Sequence, residues 1–210
     1  MYSNKIFALT ILLLYNIVCA QKSTTVVIFS KTEGYRHQSI EAGIASIKKL
    51  GEENHFLVIA TENADELISY VKKCEVVVFL NTTENIFNEE QQKVFKKFIT
   101  NGGGFVGIHS ATDTEYDWPW YGKMIGAYFE SHPDKQEATI NIVNIQHAAT
   151  NFLSSHWKKF DEWYNFKNIS SHINVLMTLD ETTYSGGLNG ENHPISWFHE
   201  FEGVAFFIRG

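Results

Sequence analysis

Hydrophobic and polar positions follow two rhythms along the first half of the chain. Residues 24–30 (TTVVIFS), 56–60 (FLVIA), 76–80 (VVVFL) and 105–109 (FVGIH) are short, nearly continuous apolar runs. Runs of this length, rich in β-branched and aromatic residues and bounded by polar segments, predict buried strands. Between the first two, residues 39–50 place Ile40, Ile44, Ile47 and Leu50 at the spacing of one helix face. Residues 65–73 and 88–100 predict two more helices, the second with Asn88 as N-cap ahead of Gln91. Strands apolar on both sides that alternate with helices predict an α/β fold with a mainly parallel sheet covered by helices.

The second half is less regular. Residues 117–124 (DWPWYGKM) are aromatic and hold one of three prolines. Residues 139–145 alternate and predict a strand with one wet face. Residues 174–179, 195–201 and 204–208 read as further strands. No repeat or low-complexity linker divides the chain, so residues 21–210 read as one domain. Residues 1–20 are a different object. Lys5, an apolar run over 6–18, and Val18-Cys19-Ala20 before Gln21 match an export signal cleaved after Ala20. That run is too short to span a bilayer comfortably. The competing reading is an N-terminal anchor. The export reading predicts a secreted or periplasmic protein with no stable membrane insertion after cleavage.

Composition narrows the function classes. The 210 residues are 44% hydrophobic and 14% aromatic, with a formal charge of −7. The chain is therefore globular, and without a Lys/Arg-rich run it is not expected to bind nucleic acid. Of two cysteines, Cys19 leaves with the signal and Cys74 remains alone. No internal disulfide and no thiolate zinc site can form, and Cys74 reads as a packing residue.

Open parallel sheets bind ligands beyond the carboxyl ends of their strands. That edge selects Glu33, Tyr35, Arg36 and His37 after the first strand, and Asn81, Thr82 and Thr83 after the third. After the fourth it selects His109, Ser110, Thr112 and Asp113. His109, His37 and Asp113 are the candidate acid/base residues. Each has a plainer alternative: His109 as a core histidine, His37 as a helix cap, Asp113 as a turn cap. The edge position and the sharp turn favour a site role for His109. His132 before Pro133 is held extended and reads equally as ligand or turn residue. Glu162, set among Trp163 and Tyr164, suits a sugar, whose apolar face stacks on rings while its hydroxyls meet an acid; it suits an amphipathic strand equally. Gly102-Gly103-Gly104 precedes a strand and opens no helix, which excludes a phosphate-cradling loop. Asn81-Thr82-Thr83 and Asn168-Ile169-Ser170 also fit a glycan-acceptor pattern.

Four stretches carry a resemblance: VVIFSKTEGYRHQSI, GGGFVGIHSATDTEYDWPWYGKMIGAYFESHP, DEWYNF and HPISWFHEFEGVAFF. Together they resemble the trehalose-utilisation (ThuA-like) family over nearly all of residues 21–210. The resemblance implies a flavodoxin-like three-layer sandwich similar to class I glutamine amidotransferases. In those relatives a cysteine occupies the tight turn that here matches His109, so glutamine hydrolysis is not expected. It also implies a small carbohydrate as ligand, and disaccharide or 3-keto-glycoside conversion as activity. His109 or His37 would then act as base, and Asp113 would join them as a catalytic residue. Arg36, Tyr35, Asn81, Ser110, Trp118, Trp120, His132 and Glu162 would bind substrate. A divalent metal on His37, His109, His132 and a carboxylate is a further possibility. A non-catalytic sugar-binding domain is the alternative, with affinity resting on Trp118, Trp120 and Trp163. Family members continue beyond the last strand with a Gly-His pair and a helix, so the resemblance implies a missing C-terminal end.

Overall fold

The structure is a computed structural model that describes residues 23–209. The expected export signal lies outside the described residues. In chain order the elements are β1 (Thr25–Phe29), α1 (Ile40–Asn54), β2 (Leu57–Thr61), α2 (Ala64–Tyr70), β3 (Val76–Leu80), α3 (Glu89–Thr100) and β4 (Gly104–Ile108). After a 3-10 turn at His109–Thr112 come α4 (Pro119–Ile125), β5 (Tyr128–Ser131), β6 (Gln136–Ile142), β7 (His156–Asp161) and β8 (Asn165–Lys167). The last strands are β9 (Asn174–Asp180), β10 (Pro194–Phe201) and β11 (Val204–Arg209).

The main sheet has the order β2-β1-β3-β4-β11-β10-β9-β6-β7. Its first five strands are parallel, in the 2-1-3-4-5 order of flavodoxin-like folds. The remaining four pair antiparallel and extend the sheet beyond β11. Strand alternation builds the three layers. Val27, Phe29, Val77 and Phe79 point to one face, where they join Leu67 of α2 and Phe95, Phe98 and Ile99 of α3. Val26, Ile28, Val78 and Leu80 point to the other, against Ile44 and Ile47 of α1. These strands are apolar throughout because each face is covered.

Local chemistry fixes the turns. Asn88 and Gln91 form a reciprocal capping box at the start of α3. Gly102 closes that helix at φ +95°, and a Cβ on Gly103 would lie 2.4 Å from the Phe98 ring. The glycine run is therefore a helix stop and a close approach.

The antiparallel half differs most from the sequence reading. The strand expected at 139–145 runs from Gln136 to Ile142, held in register by β7, which pairs Gln136 with Asp161. The elements α4, β5, β7 and β8 carry no strong periodic signal. β5 and β8 are short and pair with each other in a separate two-stranded sheet. β7 alternates exposed and half-buried positions at the sheet edge.

Candidate functional site

The carboxyl edge of the parallel sheet is tied into one frame. Glu33 N–H donates to the Thr83 carbonyl, Gly34 N–H to Thr83 Oγ1, and Glu84 N–H to the Asp113 carbonyl. The Thr82 and Thr114 hydroxyls meet at 2.9 Å. Loops after β1, β3 and β4 therefore hold one another in place. Both Asn81, just past β3, and His109, just past β4, adopt left-handed backbone, at φ 55° and 53°. That conformation is uncommon for a residue with a Cβ and recurs where a strand turns sharply into a functional residue.

His109 is the centre of the site. Its Nε2 lies 3.2 Å from Glu162 Oε2. A carboxylate only accepts, so Nε2 carries the proton and Nδ1 is the basic nitrogen. Glu162 comes from the far end of the sheet. Its strand β7 lies five places from β4, yet the segment after it returns to the end of β4. Three contacts anchor that segment. Trp163 is buried and donates from Nε1 to the Gln136 carbonyl, the Tyr164 carbonyl faces His193 Nε2 at 2.8 Å, and Glu162 N–H donates to Asp161 Oδ1.

The charges around Glu162 are unusual. Its carboxylate also faces His132 Nε2 and Lys135 Nζ, each at 3.9 Å. The hydrogen bond from His109, with the nearby His132, lowers its pKa to about 2 despite partial burial. His37 is the opposite case. Its ring lies edge-on to His109 with centroids 4.6 Å apart. Burial first, and the His109 ring second, lower its pKa to about 4. At neutral pH His37 is therefore an uncharged imidazole. Tyr164 packs 4.2 Å from the His109 ring, and its hydroxyl lies 3.4 Å from His37 Nε2. Burial, with Glu162 nearby, raises the Tyr164 pKa and keeps the phenol protonated.

A cavity of about 570 Å³ opens over these groups. Tyr35, Asn81, His37, His109 and Glu162 line it, as the edge rule expected for the first four. Lys135, Lys159, Asp161 and Phe160 line it too, and sequence reasoning assigned none of them a role. Tyr35 and Phe160 are each 66% exposed and give the cavity its aromatic mouth.

Other candidates are placed elsewhere. Arg36 pairs with Glu41 and Glu62 at 2.6 and 2.8 Å and is not among the cavity-lining residues. Ser110 is fully buried behind the turn. Asp113 accepts a short hydrogen bond from the Tyr116 hydroxyl, and burial raises its pKa. Trp118 and Trp120 stack on each other at 4.9 Å, and Trp120 Nε1 donates to Glu202. Proximity to Pro119 and the apolar α4 directs them into packing, with Phe95 and Phe201 as neighbours. Asn81 is buried with its amide on Ser39 Oγ, which removes it as a glycan acceptor.

Comparison with known proteins settles the family. The model described as trehalose utilisation, ThuA, matches residues 25–210. The chain belongs to the ThuA family. A ThuA-like protein of Bacteroides uniformis superposes with a TM-score of 0.75 at 22% identity, over 90% of this chain and 84% of that one. A ThuA-like protein of Parabacteroides merdae gives 0.72 at 16% identity, over 90% and 79%. A glutamine amidotransferase of Thermotoga maritima gives 0.53 at 11% identity, over 89% and 75%. These likenesses bear on the fold, which is the amidotransferase-like, flavodoxin-type sandwich. No curated protein matches the chain. Among the described residues Cys74 is the free cysteine; it precedes β3, at the sheet edge opposite His109, and burial raises its thiol pKa to about 11. No helix among the described residues is long and apolar enough to cross a membrane.

Proposed function

We propose that this ThuA-family chain is an exported enzyme of disaccharide or glycoside catabolism that moves a proton on a sugar held over His109. The observation that carries the reading is the His109–Glu162 pair on a left-handed turn, 3.2 Å apart, at the floor of an open polar cavity. A carboxylate on one ring nitrogen fixes the tautomer and stabilises the imidazolium formed when the other nitrogen takes a proton. The trehalose description of the family, the exposed Tyr35 and Phe160 rings and the polar lining support a carbohydrate ligand. Export rests on the leader-like segment ending at Ala20.

A 3-keto-glycoside fits this chemistry best. His109 Nδ1 removes the C2 proton beside the C3 carbonyl, and the electron pair moves into the C2–C3 bond as an enolate. When the enolate collapses, the C3 carbonyl re-forms, C1=C2 forms, the C1–O bond breaks, and the aglycone leaves as an alcohol after taking the proton held on His109. Lys135, which lines the cavity and keeps only a 3.9 Å contact to Glu162, would stabilise the enolate oxygen, since Arg36 is held by Glu41 and Glu62 and Lys159 by Asp161. The direct test is product formation from disaccharides and their 3-keto derivatives, followed by mass spectrometry. Wild-type protein should convert the keto forms, and His109→Ala should lose on the order of 100-fold or more of the rate while binding sugar within severalfold. Saturable sugar binding without turnover would replace this reading with a sugar-binding module.

A further inference from the structure

His37 follows β1, His109 ends β4 and Glu162 follows β7, yet one ligand atom from each lies within 4.8 Å of the other two. Ligand atoms about 2.1 Å from a divalent first-row ion sit about 3.0–3.4 Å apart. The His109 Nε2–Glu162 Oε2 separation is already 3.2 Å. We infer that His37, His109 and Glu162 form a binding site for one divalent transition-metal ion, with its remaining coordination positions open to the cavity.

Several features support this. Two imidazoles and one carboxylate are the donor set of open catalytic sites for iron, zinc, manganese or cobalt, while magnesium and calcium favour all-oxygen sites. At neutral pH His37 is uncharged and Glu162 is ionised. His109 would bind through Nε2 once the proton it shares with Glu162 moves to Nδ1, the tautomer in which Nε2 carries the lone pair. Glu162 keeps outer partners in His132 and Lys135, which hold a ligating carboxylate in place. Among the described residues no other group of three such side chains has this geometry. The ligand atoms also face a cavity wide enough for a sugar, so an ion there would meet substrate oxygens directly. The ion would polarise such an oxygen, and His109 would serve as ligand instead of base. The inference concerns the same site as the proposed sugar chemistry but rests on the donors alone.

The test uses tag-free protein stripped with chelator and titrated calorimetrically with Zn²⁺, Mn²⁺, Co²⁺ and Mg²⁺. The expected result is one ion per chain, far tighter for the transition metals than for Mg²⁺. His37→Ala and Glu162→Gln should each weaken binding by at least about tenfold, since even outer-sphere losses cost ~10–100-fold. His156→Ala, on the exposed start of β7, should leave it unchanged. The visible spectrum of the Co²⁺-loaded wild type should show nitrogen/oxygen ligation without relying on any variant. No saturable binding by wild type, or binding undiminished in both ligand variants, overturns the inference. Turnover of keto-sugars by metal-free protein that binds no ion would sink this inference and leave the acid/base reading standing. One bound ion with no sugar conversion under any condition would do the reverse.

Discussion

Glu115 offers the sharpest test of how the site is braced. It is fully buried, and its Oε1 accepts from the backbone N–H groups of Ile86 and Phe87 at 2.8 and 2.7 Å. Its Oε2 accepts from Gln92 Nε2 at 2.7 Å. Ile86 and Phe87 are themselves buried, so water cannot replace the lost acceptor in Glu115→Ala. Each stranded donor costs about 1–3 kcal/mol, which puts the two backbone groups together at about 4 kcal/mol. Burial raises the Glu115 pKa, so its charge opposes folding at neutral pH and its removal returns part of that cost. Glu115→Gln should therefore be much milder, about 1 kcal/mol: its amide oxygen keeps both backbone bonds, and the Gln92 amide can flip to offer its oxygen. Both variants keep a Cβ at φ 55°, so backbone strain cancels from the comparison. Urea unfolding at pH 7 measures the two differences, and hydrogen exchange should show Ile86 and Phe87 losing protection in the alanine variant alone. An alanine variant within about 1 kcal/mol of wild type, or a glutamine variant equally damaged, would show that these hydrogen bonds do not brace the loop.

Other outcomes follow from the same geometry. His37 is held at about 4 against an ordinary 6.5, so the folded state takes up fewer protons than the unfolded chain between those values. The stability this contributes is full above pH 6.5 and is lost as pH falls to 4, by about 3 kcal/mol; in metal-free protein His37→Gln should remove that loss, and a wild-type-to-variant difference that is flat across this range would count against it. Tyr35→Ala and Phe160→Ala should weaken sugar binding severalfold by calorimetry, whereas Trp120→Ala, distant in role and packed against Trp118 and Phe201, should leave affinity unchanged and lower stability. Cys74→Ser should retain full turnover, and the native thiol should react slowly with iodoacetamide at pH 7, because burial raises its pKa to about 11; rapid alkylation that abolishes activity would show that the thiol matters.

The parallel half of the fold was legible because its signals are local. Val76–Leu80 is apolar on both faces, Asn88 and Gln91 announce a helix start, and Gly102 announces its end. From strand ends alone, the edge rule then found His37, Asn81 and His109. What the sequence could not show is which side chains meet them. Glu162 reaches His109 only because β7 pairs with β6, β6 with β9, and the chain then turns back through Trp163 and Tyr164. Pairing across more than fifty residues leaves no periodic trace near either partner. The same blindness explains Trp118 and Trp120. Two tryptophans flanking a proline read as a sugar platform when counted by type, but α4 carries Tyr121, Met124 and Ile125 into the core and draws the indoles onto Phe95 and Phe201. Phe160, in a charged strand whose Trp157 packs inward, has neither pull: position alternation turns it outward at the edge of the sheet, over the cavity. In this chain's less regular half, an exposed aromatic beside a half-buried histidine–carboxylate pair therefore marks the cavity, and aromatic density does not.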